Sequence, residues 1–343
     1  MSSSESSAFT RRSLLTLSGA AALASIAPAR AQGNPVVMKV ASATINDVIH
    51  QWMKTFKAAV EARAGGRIKV ELYPASQLGA IPRMVEGAAL GTIECFVTAS
   101  SFLTNLDARF EMFDVPGTLA DTAHAERVFT DPAFRSLAFG LGNTKGIESI
   151  SAFMHSPQNL VSRKPIRTLA DFSGQKIRVL STPMQIEPFK KLGATPVPMP
   201  LSEVMPALQN GAIDGFIAAS TVFSALKFYD AAKYQTELPN WPIVVVAACN
   251  RNWLAKLPPE LRAIVQEEAA KAERPTNEFG AKDIVSAREV WTKNGGQLIA
   301  LQPAEAASFA QQVNASAAAI LRENAAAKDA FDKYAALAQK HKG

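Results

Sequence analysis

The chain has 343 residues, of which 48% are hydrophobic, and its formal net charge at pH 7 is +6. A chain of this length can form two lobes with separate hydrophobic cores. No run of five or more like charges follows the first 31 residues, which argues against a nucleic-acid partner.

The first 31 residues have the features of an export signal. Arg11 and Arg12 precede an apolar run at residues 14–27, which ends in Ala-Arg-Ala at residues 29–31. A run of about 14 residues is too short to span a bilayer, and its flanks suit a signal peptidase. We therefore predict a signal peptide over residues 1–31 and a periplasmic protein. Residues 10–15 match the twin-arginine pattern of proteins exported in the folded state; the general secretory route is the alternative.

The next part of the chain alternates between strands and helices. The pattern predicts strands at residues 36–41, 68–73 and 92–97. Asn46 or Asp47 caps the first predicted helix, which Gly65 and Gly66 end, and a second helix runs from Pro82 to a stop at residue 91. Such alternation predicts an α/β fold with a largely parallel sheet and a ligand at the carboxyl ends of the strands.

The pattern restarts in the second part of the chain, which predicts a second lobe. Strands are predicted at residues 146–153, 176–180, 195–197, 212–218, 242–248 and 297–301, and helices at residues 183–192 and 202–210. Residues 259–294 read as one long helix of about 50 Å that Pro275 kinks, followed at the end of the chain by alanine-rich helices. We assign residues 32–153 to the first lobe, 154–241 to the second, 242–282 to a return to the first that includes the long helix, and 283–343 to the second.

The cysteines and histidines give no sign of a metal or cofactor. Cys95 and Cys249 lie in apolar, strand-like runs, which suits buried free thiols, although a disulfide between them is the alternative in an oxidising compartment. The four histidines are scattered without the spacing of zinc ligands. We predict no bound metal and no cofactor.

One segment carries a family signature. Residues 169–179 read LADFSGQKIRV, which resembles the motif D-L-x-G-x-K-I-R-V of the DctP-type proteins. Further matches follow the family in order and spacing, at residues 192–199, 202–204, 207–211 and 214–215, and in the first lobe at residues 50, 66–68, 72–74, 77–79, 86–87, 90–92 and 114–116. These proteins are the substrate-binding components of TRAP transporters, the tripartite ATP-independent periplasmic systems.

The resemblance implies a two-lobed periplasmic binding protein fold, type II-like, with a long helix that spans both lobes. It also implies a small carboxylate ligand, TRAP membrane permease subunits as partners, no insertion into the membrane and no catalysis. A binding protein of an ATP-driven importer or a sensor is an alternative. An enzyme is a further alternative, but the chain has no G-x-S-x-G, no H-E-x-x-H and no cysteine with an evident base.

The resemblance also nominates binding residues. Arg178 occupies the arginine of the K-I-R motif, which holds the substrate carboxylate in the family, and a guanidinium offers the paired donors that suit two carboxylate oxygens. A structural ion pair with an internal acid is the alternative. Further candidates by motif position are Ser181 and Leu201. The loop after the third strand contributes Thr98, Ser100 and Ser101, for which ordinary turn and cap positions are the alternative.

Two departures from the family pattern bear on the ligand. The family usually has an asparagine near residue 218, where this chain has Ala218, and the nearest equivalents of a second family arginine are His155, Ser156 and Pro157. Fewer donors leave the hydroxyls of a polar ligand unpaired. We therefore predict a monocarboxylate with an apolar body, with Phe216 and Trp241 as candidate walls; a place in the core is the alternative for both.

Overall fold

The computed structural model describes residues 34–343, so that the predicted signal peptide lies outside the described residues. The strands are β1 Val36–Ala41, β2 Ile68–Tyr73, β3 Cys95–Ala99, β4 Ile147–Met154, β5 Gln158–Ser162, β6 Lys176–Val179, β7 Thr195–Pro198, β8 Gly215–Ala219, β9 Tyr234–Glu237, β10 Val244–Asn250 and β11 Gln297–Ala300. The helices are α1 Val48–Ala64, α2 Ile81–Leu90, α3 Thr122–Thr130, α4 Pro132–Phe139, α5 Pro183–Lys191, α6 Val204–Gln209, α7 Ser220–Ala225, α8 Arg251–Lys256, α9 Pro259–Lys271, α10 Glu273–Lys293, α11 Pro303–Glu323 and α12 Ala325–Lys340.

The strands form two separate sheets, one in each lobe. The first sheet has the order β2-β1-β3-β10-β4, and the second has the order β11-β9-β5-β8-β6-β7. Both are mixed sheets: β10 runs antiparallel to β3 and β4, and β5 runs antiparallel to β8 and β9. The expected parallel sheets are therefore interrupted in both lobes. The interruption follows from the connectivity, because β5 and β10 are the strands at which the chain enters each lobe from the other.

Local signals account for the ends of the first helix. Asp47 rather than Asn46 caps α1, where its Oδ1 accepts a hydrogen bond of 3.0 Å from the backbone N–H of His50. The helix ends at Gly65, which adopts the left-handed conformation with φ of 57°. On one face of the first sheet, α1 and α9 bury Trp52, Phe56 and Val265 among the strand side chains.

The long helix predicted over residues 259–294 is two helices in close succession. α9 ends at Lys271 and α10 begins at Glu273, so that Pro275 lies in the first turn of α10. Proline is tolerated in a first turn because the N–H that it lacks has no partner within the helix there. α10 packs on α1 in the first lobe and on α7 in the second. One of the two helices, α10, therefore spans both lobes, as was expected of the long helix.

The last helix departs from the expected lobe boundaries. Residues 283–343 were assigned to the second lobe, but α12 packs against the first, where Tyr334 lies 5.4 Å from Phe113 and 5.9 Å from Phe134 between ring centroids. α11 packs on α5 in the second lobe, so the chain crosses between lobes once more at Asn324, which caps α12. The alanine-rich sequence does not predict which lobe α12 packs on, since small side chains fit the surface of either lobe.

The two cysteines meet in the middle of the first sheet. Cys95 of β3 lies opposite Cys249 of β10 in the antiparallel register, and both are buried free thiols. Burial, and the neighbouring Cys95 thiol, raise the pKa of Cys249. The structure thus matches the predicted free thiols rather than the disulfide alternative.

Candidate ligand-binding site

A cavity lies between the two lobes. Its walls include the carboxyl ends of β3, β6 and β8, where an α/β sheet places its ligands. The lining residues are Ala43, Thr44, Ile49, Ile81, Val97, Thr98, Ala99, Ser101, Phe102, His155, Gln158, Arg178, Leu180, Gln185, Leu201, Ile217, Ala218, Ala219, Val222 and Ile243. Most of these side chains are apolar, and no carboxylate is among them.

Arg178 lines this cavity with part of its guanidinium unpaired. The side chain is only 2% exposed. Its Nε donates to the Met199 carbonyl at 2.9 Å and its Nη1 donates to the Ile217 carbonyl at 3.2 Å, while Nη2 has no hydrogen-bond partner in the described part of the chain. Burial lowers the pKa of Arg178 to about 10, so the side chain remains charged at neutral pH. None of the ion pairs within residues 34–343 involves Arg178, and a buried charge of this kind calls for an anion.

A second unpaired donor comes from Gln158, which the sequence analysis did not single out. The backbone N–H of Leu180 donates to Gln185 Oε1 at 2.9 Å, and Gln185 Nε2 donates to Gln158 Oε1 at 3.1 Å. This relay fixes the orientation of both amides, because a backbone N–H can only donate. Gln158 Nε2 is buried without a partner. Gln158 is the first residue of β5, a short strand that the sequence analysis did not predict.

His155 also lines the cavity, but both of its ring nitrogens are engaged elsewhere. Nδ1 accepts the backbone N–H of Ser156 at 2.8 Å, and Nε2 lies 3.0 Å from Asp47 Oδ2. Because Nδ1 accepts from a backbone N–H, the proton of a neutral ring is on Nε2 and points to Asp47. The His155 hydrogen bond holds the pKa of the buried Asp47 low against the opposing effect of burial. His155 therefore contributes a wall to the cavity, and its two ring nitrogens are engaged within the protein.

The wall of the first lobe contains two of the predicted hydroxyls. Thr98 and Ser101 line the cavity. Ser100, between them in the chain, is buried with its Oγ unpartnered, but it lies outside the cavity lining. From the second lobe, Leu201 and Ala218 line the cavity as well. The structure thus brings together six of the ten predicted site residues: Arg178, Leu201, Thr98, Ser101, His155 and Ala218.

Four predicted residues lie elsewhere. Ser181 is exposed and lines a neighbouring groove, because the chain turns outward after β6. Phe216 packs in the core with its ring centroid 5.1 Å from Phe223 and 4.5 Å from Phe228. Trp241 stacks on Phe189 at 6.3 Å between centroids. Phe216 and Trp241 therefore pack in the cores of the second lobe, which was the alternative for both, and Ser100 lies outside the cavity lining.

The family model for bacterial extracellular solute-binding protein, family 7 (DctP), matches residues 40–324. The chain belongs to this family. This DctP-family chain is 30% identical over 240 residues to the 2,3-diketo-L-gulonate-binding periplasmic protein YiaO of Escherichia coli, which covers 69% of this chain and 72% of that protein. It is similar in structure to a TRAP periplasmic solute-binding protein of Desulfovibrio salexigens with bound orotic acid, with a TM-score of 0.83, 26% identity and coverage of 89% and 99% of the two chains. A Shewanella oneidensis protein of the same kind, solved with succinate, shares the fold with a TM-score of 0.82 at 23% identity over 89% and 99% of the chains.

The family membership confirms the predicted class and compartment. The DctP-family chain is a periplasmic solute-binding protein of the TRAP type that binds small acids, and its relatives are binding proteins rather than enzymes. Within residues 34–343, the structure has no helix long and apolar enough to cross a membrane. In the same residues, no three His, Cys, Asp or Glu side chains are grouped so that they could hold a metal ion.

Proposed function

We propose that this protein captures a monocarboxylate with a largely apolar body between its lobes and delivers it to the membrane subunits of a TRAP transporter. The observation that carries the proposal is the charge of the cavity: among the described residues, its lining contains one arginine, Arg178, with no lysine and no carboxylate. One anionic group neutralises that cation. A second carboxylate on the ligand would be buried without a counter-charge, which is costly.

The lining supports the apolar body. Ile49, Ile81, Val97, Phe102 and Leu180 are among the side chains around the donor groups. A ligand with many hydroxyl groups would leave several of them without partners, at about 1 to 3 kcal/mol each. The YiaO ligand is a sugar acid, and orotic acid, held by the Desulfovibrio relative, is a planar monocarboxylate whose ring carries two N–H donors and two carbonyl acceptors. The mostly apolar lining of the present cavity favours a less polar acid than either of these.

The carboxylate would bind between Arg178 Nη2 and Gln158 Nε2. Both are buried donors without a partner, and both residues line the same cavity from the second lobe. Each donor would form a hydrogen bond with one acceptor of the ligand. The two acceptors would be the two carboxylate oxygens, or one carboxylate oxygen and an adjacent acceptor group. Charge-assisted hydrogen bonds of this kind are the strong ones in a buried site.

Closure of the lobes would complete the site. The chain crosses between the sheets at residues 155–157 and 238–243, and the two crossings are joined by backbone bonds from His155 to Ile243 and from Gln158 to Trp241, both 2.9 Å. A short paired crossing is a suitable hinge because few backbone angles absorb the rotation. A ligand that contacts both walls would shift the protein toward the closed form, which the permease would recognise.

A thermal-shift screen tests the proposal. The mature protein is heated with a panel of aromatic and branched monocarboxylates, sugar acids and dicarboxylates. We expect a monocarboxylate with an apolar body to raise the Tm most, since a ligand at a hundredfold over its Kd adds about 2.7 kcal/mol of stability. Arg178→Ala should abolish the response, whereas Arg167→Ala, which removes an exposed arginine outside the cavity, should keep it. A stronger response to sugar acids or dicarboxylates contradicts the proposed ligand class.

A further inference from the structure

A buried carboxyl group stands directly behind one of the cavity hydroxyls. Ser101 lines the cavity, and its Oγ lies 2.5 Å from Asp114 Oδ1. Asp114 is 6% exposed and follows Ser101 by 13 residues, at the end of the 3₁₀ helix Ala108–Asp114. Its Oδ2 has no hydrogen-bond partner. The Ser101 hydroxyl is therefore the one hydrogen-bonding neighbour of this carboxyl group within the described residues.

Within residues 34–343, no cation pairs with Asp114. The ionisable group closest to it along its own helix is Glu111, also an acid, and its charge disfavours ionisation of Asp114. Arg109 of the same helix is paired with Asp107. The adjoining 3₁₀ helix Ser100–Leu103 brings no ionisable side chain, and α12 brings Tyr334, whose pKa burial raises. Burial, the main cause, and the charge of Glu111 together raise the pKa of Asp114 to about 7.

The protonation state of this carboxyl group determines what Ser101 can offer to the cavity. A serine hydroxyl has one hydrogen to donate. When Asp114 is ionised, it can only accept, so Ser101 donates its hydrogen to Asp114 and presents lone pairs to the cavity. When Asp114 is protonated, it can donate to Ser101 Oγ, and the Ser101 hydrogen is then free to point at a ligand.

We propose that Asp114 sets the hydrogen-bonding direction of Ser101 and so selects, above neutral pH, acids that carry a hydroxyl or N–H donor on the part facing the first lobe. This inference rests on the proposed function, because it concerns the same cavity and the same anionic ligand class. Asp114 is a positioning residue in this scheme, since it acts on the ligand through Ser101.

Matched acids separate the donor effect from the general effect of charge. The first pair is 4-hydroxybenzoate and 4-methoxybenzoate, and the second is 3-methyl-2-hydroxybutanoate and 3-methyl-2-oxobutanoate. The first member of each pair has a hydroxyl donor, whereas the second can only accept. All four are monoanions at pH 5.5 and at pH 8, so repulsion by an ionised Asp114 affects both members of a pair alike and cancels in the ratio of their Kd values.

Calorimetry on the full mature chain gives the ratios. For a pair that binds, we expect the preference for the hydroxyl member to be about tenfold larger at pH 8 than at pH 5.5, because a mismatched buried hydrogen bond costs that order of affinity. Asp114→Asn, which cannot ionise, should give the same ratio at both pH values. Ser101→Ala should lose the pH-dependent part of the preference while it still binds the acid through Arg178.

The outcomes distinguish this inference from the proposed function. Binding of a pair with an unchanged wild-type ratio at pH 5.5 and pH 8 overturns the role of Asp114 and leaves the carboxylate site intact. A failure of all four acids to bind also overturns it, and if no other monocarboxylate binds, the proposed function fails as well. The wild-type ratio needs no substitution, so the test remains decisive even if Asp114→Asn does not fold, which circular dichroism would show.

Discussion

Arg178 is a buried cation whose partners are two backbone carbonyl groups and no acid. Carbonyl oxygens orient a guanidinium, but they carry only partial charges and do not neutralise it. A side chain in this state costs stability in the free protein, and a bound carboxylate recovers that cost. The orientation matters as much as the charge, since Nε and Nη1 are held so that Nη2 is the donor that remains.

Arg178→Lys tests orientation against charge. Lysine keeps the positive charge but loses the planar fork that bonds Met199 and Ile217 while a third nitrogen remains available. We expect the affinity for the best acid of the screen to fall by at least about tenfold, with Arg178→Ala weaker still, as measured by calorimetry. Equal affinity in the lysine variant and the wild type would show that charge alone holds the ligand.

Gln158→Ala tests the second donor. The orientation of Gln158 Nε2 is fixed by its hydrogen-bonded amide, and it has no partner among the residues that the structure describes. Its removal should weaken the binding of the best acid by about tenfold without loss of the Arg178-dependent response. Gln311→Ala, which truncates an exposed glutamine on α11, is the matched control and should bind as the wild type does. If both variants bind normally, Gln158 does not touch the ligand.

At the scale of elements, the site depends on strand ends and on the strands that cross between lobes. β3, β6 and β8 end at the cavity, and β5 brings Gln158 there from the hinge. The helices pack on the outer faces of the sheets and keep the aromatic side chains in the cores, which explains why Phe216 and Trp241 are walls of a core rather than of the cavity.

Tyr334 of α12 ties the end of the chain to the first lobe, and its hydroxyl is buried without a partner. Tyr334→Phe keeps the ring among Phe113 and Phe134 and removes the unpaired group, so the free energy of unfolding should stay the same or rise by up to about 1 kcal/mol. Tyr334→Ala should lose about 3 to 5 kcal/mol through the cavity that it leaves. Denaturant unfolding measures both; a phenylalanine variant as unstable as the alanine variant would show that the hydroxyl group has a stabilising partner.

At the scale of the whole molecule, several acids are buried with raised pKa values. Burial raises the pKa of Asp114 to about 7 and that of Asp283 to about 6, and it also raises the pKa of Glu273. The negative charge of Asp47 also raises the pKa of Asp283. The folded protein therefore binds more protons at these groups than the unfolded chain does, between about pH 4 and pH 7.

The sign of the resulting pH dependence follows from linkage. Groups with raised folded pKa values stabilise the fold at low pH, and this contribution is lost as the pH rises through about 7. Asp114→Asn should remove its part of the slope and raise the stability at pH 8 relative to the wild type, by an amount on the order of 4 kcal/mol at most. Thermal unfolding between pH 4 and pH 8 measures the difference, with the exposed Asp332→Asn as control. Parallel curves for wild type and Asp114→Asn would contradict the raised pKa.

The sequence by itself determined the class of the molecule and pointed to Arg178, the residue that we propose binds the anion. Alternating strands and helices with ordinary caps predict an α/β fold, as at Asp47 and Gly65, because these signals act between residues close in the chain. The motif around Arg178 identified the family for a related reason: its residues are contiguous. Only the tertiary structure decided that Gln158 is a donor in the cavity, that Asp114 stands behind Ser101 and that α12 returns to the first lobe. Each of these depends on contacts between residues far apart in the chain or on packing of small side chains that suit several surfaces, and no local pattern encodes such a choice.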